Sequence, residues 1–107
     1  MTIRIILIVL VSMRCASFKS NEAWDVDTQF EKAKSYLDKK KYLRAQEEFN
    51  NLVIRGTHTE LGDDSQFYLA ESYFLNKEYL LAIAEYDRLI RRMGFSPYVE
   101  KSRWRVC

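Results

Sequence analysis

At 107 residues the chain has room for one domain, and 48% hydrophobic with 30% charged residues is a globular balance that excludes a disordered segment. The net charge is +2, but Arg4, Arg14 and Lys19 fall among the first twenty residues with no acid beside them. The remaining 14 bases and 15 acids exclude a basic nucleic-acid footprint, and one proline with three glycines favours helices.

The first element in the chain reads as a targeting segment over residues 1–20. Arg4 precedes the apolar run "IILIVLV", Ile5 to Val11, and Ser12, Cys15, Ala16 and Ser17 follow. A basic start, a short apolar centre and small residues at the exit are the layout of a bacterial export signal. The run falls far short of the ~20 apolar residues that a membrane span needs. Cys15 resembles the lipid-attachment cysteine of bacterial lipoproteins, whose thiol takes a diacylglycerol and becomes the new N-terminus. Arg14 stands where that motif has a small residue, so an unmodified Cys15 inside an ordinary export signal is the alternative. Cys15 and Cys107, at opposite ends, make no disulfide framework. The polar stretch "KSNEAWDVDT" reads as a tether to the first helix.

From there the chain repeats itself at a spacing of 37 residues. Gln29, Phe30, Ala33, Ser35, Tyr36, Lys40, Tyr42, Leu43, Ala45, Glu48, Leu52 and Arg55 recur as Gln66, Phe67, Ala70, Ser72, Tyr73, Lys77, Tyr79, Leu80, Ala82, Glu85, Leu89 and Arg92. Self-similarity at a fixed period of this size marks a helical solenoid. Each unit has two helical halves. In the second unit Leu69, Ala70, Tyr73 and Phe74 share one face; beyond the break "NKE", Tyr79, Ala82, Ile83, Tyr86, Leu89, Ile90 and Met93 share another. So short a break makes the two helices antiparallel neighbours. Ala70 and Ala82 let them approach, and Tyr73 and Tyr86 fill the space beside them.

Units span about 26–62 and 63–99, with a partial third to residue 107. Gly56 is expected to end one helix and Asp63 to cap the next. Ser96 is expected as N-cap of the third unit, with Pro97 in its first turn. In the same register Cys107 falls on the Ala70 position and is expected as a small core residue. Helical repeat arrays need a capping element, so the chain reads as the front of a longer protein, truncated in its third repeat.

Two quartets carry a family resemblance: Ala33, Tyr36, Ala45, Phe49 and Ala70, Tyr73, Ala82, Tyr86. Their spacing resembles the tetratricopeptide repeat, whose usual period is about 34 residues. The expected fold is therefore an all-α solenoid of antiparallel helix pairs. With the signal, the cysteine and the tether, the stretches "KKKYLRAQEEFNNLV", "DDSQFYLAESYFLNKEYLLAIAEYDRLIRR" and "SPYVEKSRWRVC" resemble the BamD family of outer-membrane protein assembly factors. That resemblance implies a non-enzymatic scaffold, lipid-anchored through Cys15 on the periplasmic face of the outer membrane. Its implied partners are the barrel-forming assembly subunit, other assembly lipoproteins and unfolded outer-membrane proteins. It implies no cofactor, no metal and no nucleic acid.

Candidate groove residues are outward positions of the first helices: Gln29, Lys32, Gln66 and Glu71. No catalytic pattern emerges. His58, the single histidine, lies in the loop "GTHTELGD" without a second ligand at metal spacing. Glu47 and Glu48 are neighbours on a helix and point apart. "KKK" at 39–41 closes the first helix, where cations complement the dipole, with contact to a lipid surface as the lesser alternative. Two other functions fit the pattern: a different periplasmic tetratricopeptide adaptor, or the helical front of an envelope enzyme.

Overall fold

The computed structural model describes residues 24–107; the expected export signal and Cys15 lie outside them. The described residues form an all-helical fold: α1 (Val26–Asp38), α2 (Tyr42–Gly56), α3 (Gly62–Leu75), α4 (Tyr79–Arg92) and α5 (Val99–Val106). Each helix packs on the next in chain order. Three residues join α1 to α2 and α3 to α4, so each pair is an antiparallel hairpin.

Asp25 starts α1. Its carboxylate accepts the Thr28 hydroxyl at 2.5 Å and the Thr28 N–H at 3.1 Å, and these bonds hold the carboxyl below its ordinary range. The two hairpin turns then share one geometry. Lys40 and Lys77 adopt φ of 60° and 64°, the left-handed region. In the first turn the N–H groups of Lys39, Lys40 and Lys41 donate to the carbonyls of Ser35, Leu37 and Tyr36. In the second, Asn76, Lys77 and Glu78 donate to Ser72, Phe74 and Tyr73, which are the same positions one 37-residue step later. Left-handed backbone strains a non-glycine residue by roughly 1–2 kcal/mol, so the geometry is imposed by these bonds and by the packing of the helices they join.

The links between hairpins also match. Thr59 donates to Gly56 at 3.0 Å and Gly62 to Thr59 at 3.1 Å; one step later Ser96 donates to Met93 at 2.9 Å and Val99 to Ser96 at 3.2 Å. A Cβ at Gly62 would stand 2.5 Å from the Thr57 carbonyl oxygen, so this close crossing requires glycine.

Two cores are stacked along the molecule. Phe30, Ala33, Ala45, Phe49, Leu52 and Leu69 form the first, and Phe67, Ala70, Ala82, Tyr86 and Leu89 the second. Tyr68 and Tyr73 pack against both, so α3 serves as a wall of each. Fully burying one such large apolar side chain contributes about 1.5–3 kcal/mol. Alanines sit at the crossings because a larger Cβ substituent would hold the helices apart.

Gly56 does end α2, as its buried last residue, with Thr57 behind it in right-handed helical backbone. Several other expectations of local detail are corrected. Asp63 is not a cap. α3 begins two residues earlier than such a cap would give, with Leu61 at the N-cap, and Asp63 in the first turn accepts the Ser96 hydroxyl at 2.7 Å. Ser96 is not the N-cap of α5, which is Tyr98; its hydroxyl binds Asp63 and accepts the Tyr98 N–H at 3.2 Å. Pro97 stands in the turn before that helix. Cys107 and Trp104 are exposed, because among the described residues α5 packs only on its α3 and α4 side and nothing covers its outer face. Tyr79 and Ile83 are exposed as well. The eight residues of α5 span roughly 12 Å, too short to reach the first turns of α4.

Candidate interaction face

α3 lies between α1 and α5, and its aromatic rings carry cations from both. From α1, Lys34 Nζ sits 4.9 Å from the Tyr68 ring centroid. From α5, Lys101 Nζ lies 5.3 Å from the Phe67 centroid and the Arg105 guanidinium 4.3 Å from that of Phe74. Such contacts contribute about 0.5–1 kcal/mol at exposed sites. The cations cap the rings along one face from above: Phe67 is buried, and Tyr68 and Phe74 are half-buried.

Beneath that face is a polar cluster. Glu71 is buried and accepts the Tyr86 hydroxyl at 2.6 Å. Arg105 closes on the same carboxylate with Nε at 3.1 Å and a terminal nitrogen at 3.3 Å, a two-pronged pair. Burial pushes the Tyr86 hydroxyl far up, and its bond to Glu71 adds to the shift. The bond to Glu71 likewise raises Arg105, holding it charged. Nearby, Tyr98 stacks on Phe67 with centroids 4.5 Å apart and donates to Asp64 at 2.6 Å. Burial first, and that carboxylate second, hold its hydroxyl well above the ordinary tyrosine value. Three helices are thus joined by charge-assisted bonds at one place.

The four expected groove residues divide. Lys32 is exposed and pairs with Glu48 at 3.7 Å, and Gln29 is half-buried. Gln66 and Glu71 are buried and committed to internal bonds, and of the two Gln66 lines a cleft, on the other side of the molecule. Gln66 Nε2 donates to the Glu85 carbonyl at 2.9 Å and to its carboxylate at 2.7 Å, tying α3 to α4. The physical reason is that α4 and α5 cover these positions, and long-range partners satisfy them there. Among the quartets, Ala33, Ala45, Phe49, Ala70, Ala82 and Tyr86 are buried, and Tyr36 and Tyr73 half-buried against the cores. Burial raises the Tyr73 hydroxyl, with Glu85 and Glu78 adding to it.

A cleft of about 400 Å³ opens on the other side between the ends of α2 and α4, lined by Val53, Thr57, Gln66, Arg88, Arg92, Met93 and Phe95. Its polar groups are an amide, a hydroxyl and guanidiniums, of which Arg88 is engaged by Glu85. His58 is exposed in its loop. Among the described residues no group of three His, Cys, Asp or Glu side chains could hold a metal ion, and no described helix is long and apolar enough to cross a membrane. What the arrangement offers chemically is recognition: cations along one face that suit carboxylates of an extended segment.

Sequence reasoning missed the Glu71–Tyr86–Arg105 cluster, although it left a signal. One 37-residue step earlier the same positions hold Lys34, Phe49 and Tyr68. An acid, a hydroxyl and a base replace them together. Compared with known proteins, the chain matches no family model and no curated protein.

Proposed function

We propose that the chain is a tetratricopeptide-type adaptor and, within that class, a BamD-type lipoprotein scaffold of the machinery that inserts β-barrel proteins into the outer membrane. The observation that carries the class is the recurrence of the hairpin turns and the inter-hairpin links at a 37-residue spacing, bond for bond. Stacked helix pairs present a continuous face to a partner, and here that face is the cation-bearing surface of α1, α3 and α5. In this reading it receives the barrel-forming subunit or unfolded barrel substrates and performs no chemistry. Attachment at Cys15 fixes the protein to the periplasmic leaflet, because diacylglycerol plus a further chain gives stable anchoring where a single chain does not.

A photo-crosslinking amino acid at Lys101, in the full-length protein expressed in a Gram-negative host, tests the function. Capture of the barrel-forming subunit or of unfolded outer-membrane proteins is expected. Capture of neither, with intact protein present, contradicts it. Mass spectrometry of the same material should show cleavage before Cys15 and an acyl mass. Arg14 favours a second reading, an unlipidated periplasmic adaptor, which an uncleaved or unacylated N-terminus would support.

A further inference from the structure

The repeat places two hairpin turns side by side at one end of the bundle. The cleft there, about 290 Å³, is lined by Lys40, Lys41, Tyr42, Leu43 and Arg44 from the first turn and by Asn76 from the second. A hydrogen bond ties the start of α2 to the second turn, Gln46 Nε2 donating to Glu78 at 2.7 Å, and within that turn Asn76 Nδ2 donates to the same carboxylate oxygen at 3.0 Å. The end is therefore one surface and not two separate loops.

Its composition is unusual for a solvated surface. Lys39, Lys40, Lys41, Arg44 and Lys77 are all exposed. Among them stand Leu43, 69% exposed, Leu80, 85% exposed, and Leu81, 50% exposed. Leu43 and Leu80 are equivalent residues, each three positions after a left-handed lysine. Leu43 is bare although α3 packs along α2, so its exposure does not depend on the short α5. Asp38 and, one turn along α2, Glu47 are the exposed acids nearby; Glu78 is spent on Gln46 and Asn76. A mixed basic and aliphatic rim, set on a body with about as many acids as bases, matches an anionic lipid surface, where lysines meet headgroup phosphates and leucines enter the acyl boundary.

We propose that the turn end of the bundle, formed by residues 39–44 and 77–81, docks on an anionic phospholipid bilayer. This goes beyond the adaptor reading: it is a contact of the folded body, separate from any lipid at Cys15, and would orient the α1/α3/α5 face relative to the membrane. Lys39, Lys40, Lys41 and Arg44 at the first turn, with Lys77 from the second, supply the charge. The paired leucines supply the insertion.

The test uses the full chain with Cys15→Ser and Cys107→Ser, carrying an environment-sensitive fluorophore at Leu80→Cys. A second protein carries it at Ile54→Cys, roughly 16 Å further along the hairpin. Position-specific labels separate this contact from binding by the N-terminal segment. Vesicles of phosphatidylcholine with phosphatidylglycerol should blue-shift the fluorophore at position 80 and leave that at 54 unchanged, and pure phosphatidylcholine should do neither. Lys39→Gln with Lys41→Gln, helicity unchanged by circular dichroism, should weaken the response about 25-fold, roughly fivefold per cation removed. No shift at position 80, equal shifts at both positions, or indifference to the double variant overturns the proposal. So does a vesicle-insensitive position 80 that crosslinks to another protein, which would assign this end to a protein partner.

Discussion

The junction of α1, α2 and α3 and the junction of α3, α4 and α5 occupy equivalent places, yet they are held by different physics. At the first, Lys34, Phe49 and Tyr68 meet: Phe49 and Tyr68 stack with centroids 5.7 Å apart, and Lys34 covers the Tyr68 ring. At the second, Glu71, Tyr86 and Arg105 occupy those positions, and hydrogen bonds and an ion pair replace the stack. The turns and links that flank them make matching backbone hydrogen bonds. An apolar stack tolerates small shifts, whereas a buried carboxylate with three donors aimed at it fixes the angle and loses heavily if one partner leaves. Two hairpins with matching turn bonds can therefore keep their shape while their junctions differ from adaptable to rigid.

The largest expected effect that separates the junctions comes from alkali. Tyr86 and Tyr98, both at the second junction, have hydroxyls raised above the ordinary 10.0, so the fold favours their neutral form. That stabilisation is fully present below pH 10.0 and is lost as pH rises above it, because the unfolded chain ionises first. Tyrosinate absorbance should therefore rise for these two residues only together with loss of helicity. Their titration within an intact fold would contradict the burial argument.

Next in size is Glu71→Leu, which strands the Tyr86 hydroxyl and the Arg105 guanidinium and should cost about 3 kcal/mol in urea unfolding. At the equivalent place, Lys34→Leu should cost less than about 1 kcal/mol. Equal losses would erase the distinction. Ala45→Leu and Ala82→Leu overpack the two hairpins at matching crossings, and thermal melts should show similar penalties of about 2 kcal/mol for each. The smallest effect is a gain. Lys40→Gly and Lys77→Gly relieve the left-handed strain and should each stabilise by about 0.5 kcal/mol, net of the freedom glycine adds to the unfolded chain. A gain at one turn and a loss at the other would break the equivalence of the turns.

What the sequence makes legible is what periodicity encodes. The alanine and aromatic positions recur locally, at steps of three, four and nine, so the helices, their breaks and their buried stripes can be read from one strand of text. The partners of Gln66 and Glu71 lie 19 and 34 residues away, in Glu85 and Arg105, and no local period points to them. A polar residue between buried neighbours then looks outward-facing until the helix that covers it is in place. Helix starts were mislocated for a related reason. Asp63 and Ser96 have the side chains of caps, but they bind one another across the link, and the helices begin at Gly62 and Val99. The exposed ends of α4 and α5 follow from coverage, which depends on the length of the next helix.

The most direct test is a pair of double-mutant cycles at the equivalent positions, measured by chemical unfolding. Glu71→Gln with Tyr86→Phe should show a coupling of about 1–2 kcal/mol, since each deletion removes the same charge-assisted bond. Lys34→Gln with Phe49→Leu should show coupling near zero within about 0.5 kcal/mol. Equal coupling in the two cycles, or none in the first, would contradict the claim that two hairpins with matching turns are joined by an adaptable stack at one junction and a rigid polar cluster at the other.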